Sequence, residues 1–278
     1  MAAGDLTYTY DVLVFGDGTN VDVRQVDGLL DVAGLRIGDV NRPADHGSFP
    51  GMHLLGPRVF TFTLDALDPL GATSTLEATI EQATAPRQAE SPLTFQIPGR
   101  TQRAVNCRPT RRRRTLDLSD TLGIKRYVVE FQATDPRMYD AAWSSVAIPL
   151  PTASGGLTFP VTPPFTFGSA TGGQAVVTNA GNFTAPWVAT FVGPLQDPSV
   201  SSAGLSVGVY MVGTLNAGET LVVDSAARTV LLNGTASRES WLLPTSRWFG
   251  LSPGANTIQL GATTGSGSLT FAYRSCWL

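Results

Sequence analysis

General acid-base chemistry near neutral pH would have to start from the two histidines, His46 and His53, because histidine is the commonest general base in that range. Neither belongs to a catalytic pattern. The chain has no Gly-x-Ser-x-Gly elbow, and its histidines lack the His-Glu-x-x-His spacing of a zinc site. The glycine-bounded segment from His46 to Gly51 is typical of a loop with a local hydrogen bond. We predict that the protein is not an enzyme and holds no metal and no cofactor.

The most charged segment contains five arginines that could bind phosphate or an acidic protein surface, or could be a solvated strand end. They are Arg108, Arg111, Arg112, Arg113 and Arg114. Nucleic-acid sites usually interleave aromatic side chains, and none lies between Phe95 and Tyr127. The net charge of -3 and pI near 5.4 also disfavour a nucleic-acid binder. We predict no sequence-specific nucleic-acid binding and treat these five arginines as a candidate assembly interface.

An acidic segment precedes this basic one. Residues 1–85 hold 12 acidic residues and 4 arginines, a balance of -8, whereas residues 100–114 hold seven arginines and no acidic residue. Opposite patches on one subunit suit a head-to-tail ring, in which each interface joins different surfaces of neighbouring copies. We therefore expect the arginines to face acidic surface of a neighbouring subunit or of another protein of the same assembly.

The elements around these arginines are mostly strands. Alternation predicts one strand over Thr7–Phe15, with Tyr8, Tyr10, Val12 and Val14 on one face, followed by a hairpin turn at Gly16–Asn20. Further strands are predicted at the ranges 58–64, 93–97, 103–108 and 127–133. One helix is expected, because Ser74-Thr75-Leu76-Glu77 is a capping box and Leu76, Ile80 and Ala83 share a face before Pro86.

A linker at residues 149–156 divides the chain into a first domain, residues 1–149, and a second domain, residues 150–278. About eight short apolar runs separated by Asn-Gly and Pro-Gly turns predict a β-sandwich or jelly roll beyond the linker. Trp187, Trp241, Trp248 and Trp277 are expected to supply much of its core, with room for one or two of them to be surface anchors. The same aromatic residues leave open an alternative function, binding of a carbohydrate or receptor.

The start of the chain lacks the basic and apolar regions of a signal peptide, and no apolar run is long enough to span a membrane. We therefore expect a protein with no membrane association and no export by the general secretory route. Its two cysteines, Cys107 and Cys276, fall in different predicted domains and are expected to be free thiols. A hydrolase of cell-wall polymers would need paired carboxylates, and Asp224 and Glu239 around a predicted hairpin offer only weak support.

Three blocks together resemble the distal tail protein, Dit, of siphophages, and most closely the minor tail proteins of actinobacteriophages. The blocks are residues 26–60, with Asp45-His46-Gly47-Ser48-Phe49-Pro50-Gly51; residues 106–139, with Asp135-Pro136-Arg137-Met138-Tyr139; and residues 179–278, with the Trp248–Ile258 corner and Cys276-Trp277-Leu278. Their order and spacing carry the likeness, which extends over nearly the whole chain.

The resemblance implies a mainly β protein of two domains: an N-terminal split β-barrel-like domain with one helix, and a C-terminal galectin-like or jelly-roll β-sandwich. It implies a structural virion protein of the tail tip, assembled in the host cytoplasm, that forms a ring, hexameric in the family. Such a ring joins the tail tube protein to the tail hub or tail-associated protein, and its outer domain contacts receptor-binding or adsorption proteins. The family has no catalytic residues to transfer.

Overall fold

The computed structural model describes residues 6–67, 75–153 and 170–278. The chain divides into two compact units, Met1–Ala141 and Ala142–Trp277. The boundary expected at residues 149 and 150 stays a prediction, and the contacts place the division somewhat earlier. The predicted linker is described only up to Ala153.

Strands dominate the first unit. Its elements are β1 (Thr7–Tyr10), β2 (Leu13–Gly16), β3 (Val21–Asp27), β4 (Leu35–Arg36), β5 (Val40–Asn41), β6 (Ser48–Phe49), β7 (Leu54–Leu55), β8 (Arg58–Leu67), α1 (Thr75–Ala83), β9 (Ser91–Phe95), β10 (Arg103–Thr115), a 3-10 helix (Leu118–Leu122), β11 (Ile124–Ala133) and β12 (Met138–Asp140).

One antiparallel sheet in the order β2-β1-β9-β10-β11-β8-β3 forms the frame of this unit. The sheet folds back on itself, because Tyr8 of β1 and Phe62 of β8 are four strand positions apart and yet their rings lie 5.0 Å from each other. A flat sheet would separate them by about 19 Å at the usual strand spacing. Tyr10 and Phe131 make a similar contact at 4.9 Å. The result is the split barrel that was predicted, with an aromatic core, and the described strands do not close it.

The first predicted strand is wrong in its length. Asp11 and Val12 form a turn, with Asp11 in the left-handed region at φ 55°, and the chain reverses so that β2 pairs with β1. The reversal shifts the alternation: Leu13 and Phe15 are buried, whereas Val12 and Val14 are exposed. The predicted hairpin at Gly16–Asn20 is likewise wrong, because β2 pairs with β1 and β3 pairs with β8.

Helix α1 agrees with its predicted apolar face, since Ile80 and Ala83 are buried and Leu76 is half-buried. The capping box includes Ser74, which lies outside the described residues. The strands predicted at 58–64 and 127–133 are confirmed as parts of β8 and β11, and each buries alternate residues. The strand predicted at 103–108 extends to Thr115 and so includes the arginine-rich segment.

Strands also dominate the second unit: β13 (Ser144–Pro149), β14 (Thr152–Ala153), β15 (Ala170–Thr171), β16 (Gln174–Asn179), β17 (Trp187–Val192), β18 (Leu195–Gln196), β19 (Ser199–Ser202), β20 (Val207–Tyr210), β21 (Thr214–Leu215), β22 (Thr220–Asp224), β23 (Thr229–Leu232), β24 (Ala236–Ser237), a 3-10 helix (Glu239–Trp241), β25 (Gly254–Gly261), β26 (Thr264–Gly265), β27 (Ser268–Tyr273) and β28 (Cys276–Trp277).

Two larger sheets of this unit follow the orders β13-β27-β17-β22-β23-β24 and β16-β25-β19-β20, and β21-β18-β26 forms a small third one. Trp187 is fully buried, and its indole N–H donates to the Phe249 carbonyl at 2.8 Å. The other three tryptophans of the predicted core are only half-buried, so that part of the prediction is wrong. Aliphatic residues such as Leu221, Ile258 and Leu269 fill the core instead.

Candidate assembly surface

Strand β10 changes its surroundings halfway along. Residues Arg103–Cys107 pair with β9, whereas among the described strands the stretch 108–115 pairs with β11 alone. The second half of β10 is therefore a sheet edge, and it carries all five candidate arginines. A bulge between Pro109 and Arg111 sets which of these side chains point to the inner side and which to the outer side of the sheet.

Three of the five arginines are bound within the same unit. Arg108 donates to the backbone carbonyl and the side-chain oxygen of Gln88, both at 3.1 Å. Arg112 donates to the Glu81 carbonyl at 2.8 Å. Since residues 81 and 88 lie in α1 and in the segment after it, these arginines tie that region to the edge of the sheet.

Arg114 belongs to a cluster of charges around Glu77, in the first turn of α1. It is hydrogen-bonded to Glu77 and donates to Asp120 at 2.9 Å. Lys125 donates to the other oxygen of Glu77 at 3.0 Å, and the Tyr127 hydroxyl donates to the carboxylate at 3.3 Å. The hydrogen bond from Lys125 is the main cause that lowers the pKa of Glu77, and Arg114 adds to it. Arg114 therefore has a structural role.

Arg111 and Arg113 are different. Cross-strand pairing places them beside Glu130 and Val128 of β11, on the outer face of the sheet. Both are exposed, and among the described residues neither makes an ion pair or a side-chain hydrogen bond. Of the five predicted interface arginines, these two are the ones available to a partner.

The opposite edge of the same outer face is acidic. Strand β3 pairs only with β8, and its Asp22 and Asp27 are exposed, with no basic partner in the described part of the chain. Arg24 is already bound to Asp65 of β8 at 2.5 Å. The sheet thus has free positive charge at the β10 edge and free negative charge at the β3 edge.

Asp65 holds the middle of this face together. It is buried, and it accepts hydrogen bonds from Arg126 at 2.9 Å and from Arg24. Burial would raise the pKa of Asp65, but the hydrogen bonds from Arg126 and Arg24 outweigh burial and lower it. This carboxylate is therefore ionised at neutral pH and unavailable to a partner.

A second surface consists of residues 28–57, which we call the arm. It contains the two-stranded pairs β4-β7 and β5-β6. Gly38 and Gly51 lie so close to each other that a side chain at position 51 would collide with the Gly38 carbonyl. Large apolar side chains on the arm are half to three-quarters exposed: Leu30, Val32, Leu35, Ile37, Val40, Phe49, Met52 and Leu54. An apolar surface of this kind marks a site of contact with other proteins.

Buried Arg58 fixes the base of the arm. Its guanidinium donates to the Leu29 carbonyl at 2.8 Å, to the Asp31 carbonyl and to the Pro136 carbonyl at 2.9 Å. Burial lowers the pKa of Arg58. Sequence reasoning missed both this anchor and the arm, although apolar residues set singly between glycines and prolines over 28–57 are a signal of exposed irregular structure.

Both histidines lie on the exposed arm. His53 is 3.0 Å from Asp39, whose pKa is lowered by the backbone N–H of Gly51 and then by His53. The His46 backbone N–H donates to Asp45 at 2.7 Å. Within the described residues no group of three potential metal ligands occurs, and no helix is long and apolar enough to cross a bilayer. Cys107 and Cys276 are buried and free, as predicted.

The second unit is similar to a known protein family. Residues 180–277 match the family model SPP1_Dit, described as siphovirus-type tail component, C-terminal domain. The matched residues make up most of the second unit, which is therefore similar to this tail component domain. No curated protein matches the chain.

Solved structures extend the likeness to the whole chain. The Dit protein (gp 19.1) of phage SPP1, described as a paradigm of the hub adsorption apparatus in phages that infect Gram-positive bacteria, matches with a TM-score of 0.69 at 16% identity, over 98% of this chain and 99% of that one. A chain of the phage P2 baseplate in its activated conformation with Ca matches with a TM-score of 0.56 at 10% identity, over 96% and 97%. The chain has the fold of a distal tail protein, and the resemblance predicted from the sequence is confirmed.

Proposed function

We propose that this protein is a structural component of a phage tail tip, where copies of it form a ring, hexameric as the resemblance implies, that joins the tail tube to the hub and adsorption proteins. The tail-component family match and the distal-tail-protein fold support the tail-tip location and the structural role. Catalysis has no part in this function.

The arm is the observation that carries the proposal. Burying a large aliphatic or aromatic side chain stabilises a protein by roughly 1.5–3 kcal/mol, so half-exposed residues forgo about 1 kcal/mol each while the chain is alone. The arm exposes eight of them, four of which lie on strands of only two residues. Contact with a neighbouring protein recovers this free energy, which an isolated soluble protein has no means to do.

The two units have different roles in this proposal. The first unit has the arm and the charged edges, and it forms the ring and meets the tube and the hub. The second unit contains the tail component domain and faces receptor-binding or adsorption proteins. The carbohydrate- or receptor-binding alternative has less support, because Trp187 lies inside the sandwich, and Trp241 is half-buried beside Arg238 at 5.7 Å.

Mass photometry of the purified full-length chain, together with negative-stain imaging, tests the proposal. We expect a discrete species of six copies with a central opening that forms with increasing concentration. A chain that stays monomeric at every concentration and salt level would count against the ring. Binding to a glycan array, lost on mutation of Trp241, would favour the alternative.

A further inference from the structure

Two free strand edges of one sheet run in opposite directions. The sheet part β10-β11-β8-β3 is antiparallel throughout, and it ends on the 108–115 stretch of β10 at one side and on β3 at the other. Because β10 and β3 are the first and fourth of four successive antiparallel strands, they are antiparallel to each other within one copy. A second copy that is placed beside the first in the same orientation would therefore bring its β3 antiparallel to β10, in the geometry that antiparallel hydrogen bonding needs.

The unpaired stretches also match in length. Strand β3 has seven residues, and the stretch of β10 that has no second strand beside it among the described residues covers 108–115. A sheet edge with free N–H and C=O groups is a template for an added strand. The two edges are thus complementary in direction and in length.

Charge indicates which edge meets which. Following the pairs across the sheet, Arg111 lies beside Glu130, Glu130 beside Thr61, and Thr61 beside Asp27, so Arg111 and Asp27 occupy the two ends of one transverse row. If the sheet continues into a second copy without stagger, Asp27 of one copy stands next to Arg111 of the other. Arg113 is two residues from Arg111 on the same face and lies diagonally within reach of the same carboxylate.

There is also space beside β3. A cleft of about 500 Å³ is lined by the consecutive residues Asp22–Val26 and, on its other side, by Leu6, Tyr8, Gly16 and Asp17. Because consecutive residues of a strand point to alternate faces, the cleft runs along the edge of β3 and not over one face. Asp17 contributes a further exposed carboxylate.

We propose that the β10 edge of one copy adds to the β3 edge of a second copy, with Arg111 and Arg113 facing Asp22 and Asp27. This interface rests on the proposed ring and names the surfaces that form it. Arg112 and Arg114 stay bound to α1 and the Glu77 cluster within each copy. Repetition of the contact around a ring extends one antiparallel sheet from copy to copy.

Charge reversal in the full-length chain tests the interface. The variant Arg111→Glu/Arg113→Glu and the variant Asp22→Arg/Asp27→Arg are each expected to raise the concentration for half-assembly at least about tenfold, because like charges then face each other. The variant with all four substitutions is expected to assemble within about threefold of the wild type, since the pairs are restored with reversed sign. Mass photometry at 50 mM and 500 mM salt measures the concentration for half-assembly of each variant.

The control is Arg100→Glu, which changes an exposed arginine of the same unit outside β10, and it is expected to assemble as the wild type does. Protection of the Cys107 thiol from labelling shows that each variant is folded. A wild-type ring that the two reversed variants leave unchanged, or a fourfold variant that is no better than either, would overturn this interface and leave the ring standing. A wild-type chain that forms no ring would overturn the proposed function itself.

Discussion

Replacement of Glu77 by Gln should weaken the first unit, because the carboxylate joins α1 to the β10-β11 hairpin. Its two oxygens accept from Lys125 at 3.0 Å, from the Tyr127 hydroxyl at 3.3 Å and from Arg114. Glu77, Lys125 and Arg114 have exposed side-chain fractions of 21%, 18% and 29%, so solvent only partly screens these contacts.

The expected magnitude follows from these contacts. A hydrogen bond to a charged group contributes about 1.5–3 kcal/mol. Gln keeps one acceptor, and Arg114 keeps Asp120, so we expect a loss of about 2 kcal/mol in the free energy of unfolding. For a unit of this size the loss corresponds to about 6 °C in Tm.

The measurement can separate the two units. All five tryptophans lie in the second unit, and Cys107 is buried in the first. Labelling of the Cys107 thiol against urea, read at the Cys107 peptide by mass spectrometry so that Cys276 does not contribute, therefore reports the first unit, and tryptophan fluorescence reports the second. Thiol labelling should shift in Glu77→Gln, and fluorescence should not.

The matched control is Glu81→Gln, the same change one turn later on α1. Its carboxylate lies 3.8 Å from Arg112 and is exposed, so the loss should stay below about 0.5 kcal/mol. Equal losses in the two variants would refute the role assigned to Glu77.

The effect should depend on pH with a definite sign. Because the pKa of Glu77 in the folded protein is lowered, its stabilisation is complete above the ordinary glutamate pKa of 4.5 and is lost as pH falls through the folded pKa. The difference between wild type and Glu77→Gln should therefore be constant near neutral pH and shrink below about pH 4.5. A difference that persists at pH 2 would contradict the electrostatic cause.

Three further outcomes are expected. Asp65→Asn should cost the first unit about 2 kcal/mol, measured by Cys107 labelling, because a buried carboxylate with two arginine partners loses its charge; an unchanged urea midpoint would contradict this. Trp187→Ala should cost the second unit about 3–5 kcal/mol in the fluorescence transition of the other tryptophans, since a cavity forms and the bond to Phe249 is lost; a loss below 1 kcal/mol would show that the site collapses. Phe49→Ser with Leu54→Ser should leave the urea midpoint within about 0.5 kcal/mol and raise the concentration for half-assembly about tenfold, whereas unchanged assembly would remove the arm from the interface.

Regular alternation predicted the long strands well. Phe60, Phe62 and Leu64 of β8 and Tyr127 to Ala133 of β11 are buried in the predicted pattern, because one face of each strand meets the same core. The prediction of a single strand over Thr7–Phe15 was wrong for a specific reason. Its apolar residues continue without interruption across the turn, and only Asp11, which tolerates a positive φ, marks the reversal.

The arginines of the candidate surface likewise show what sequence alone does not predict. Their sequence predicted a contact surface of five equivalent charges, but the bulge at Pro109 and the position of α1 divide them into bound and free groups. Both causes are tertiary, because the bulge depends on pairing with β11, and the Glu81 carbonyl that binds Arg112 and the Glu77 carboxylate that binds Arg114 come from α1. Spacing alone contains neither piece of information.

The continuity of β10 has a mechanical consequence. One unbroken strand carries the edge arginines at its C-terminal end and the buried residues Val105 and Cys107 at its N-terminal end. A lateral force applied at the edge is therefore transmitted along the covalent backbone into the core, where β9 and β12 hold the strand from both sides. Binding of a neighbour should accordingly slow hydrogen exchange at residues 103–107, well away from the contact, so that assembly tightens the interior of each subunit as well as its rim.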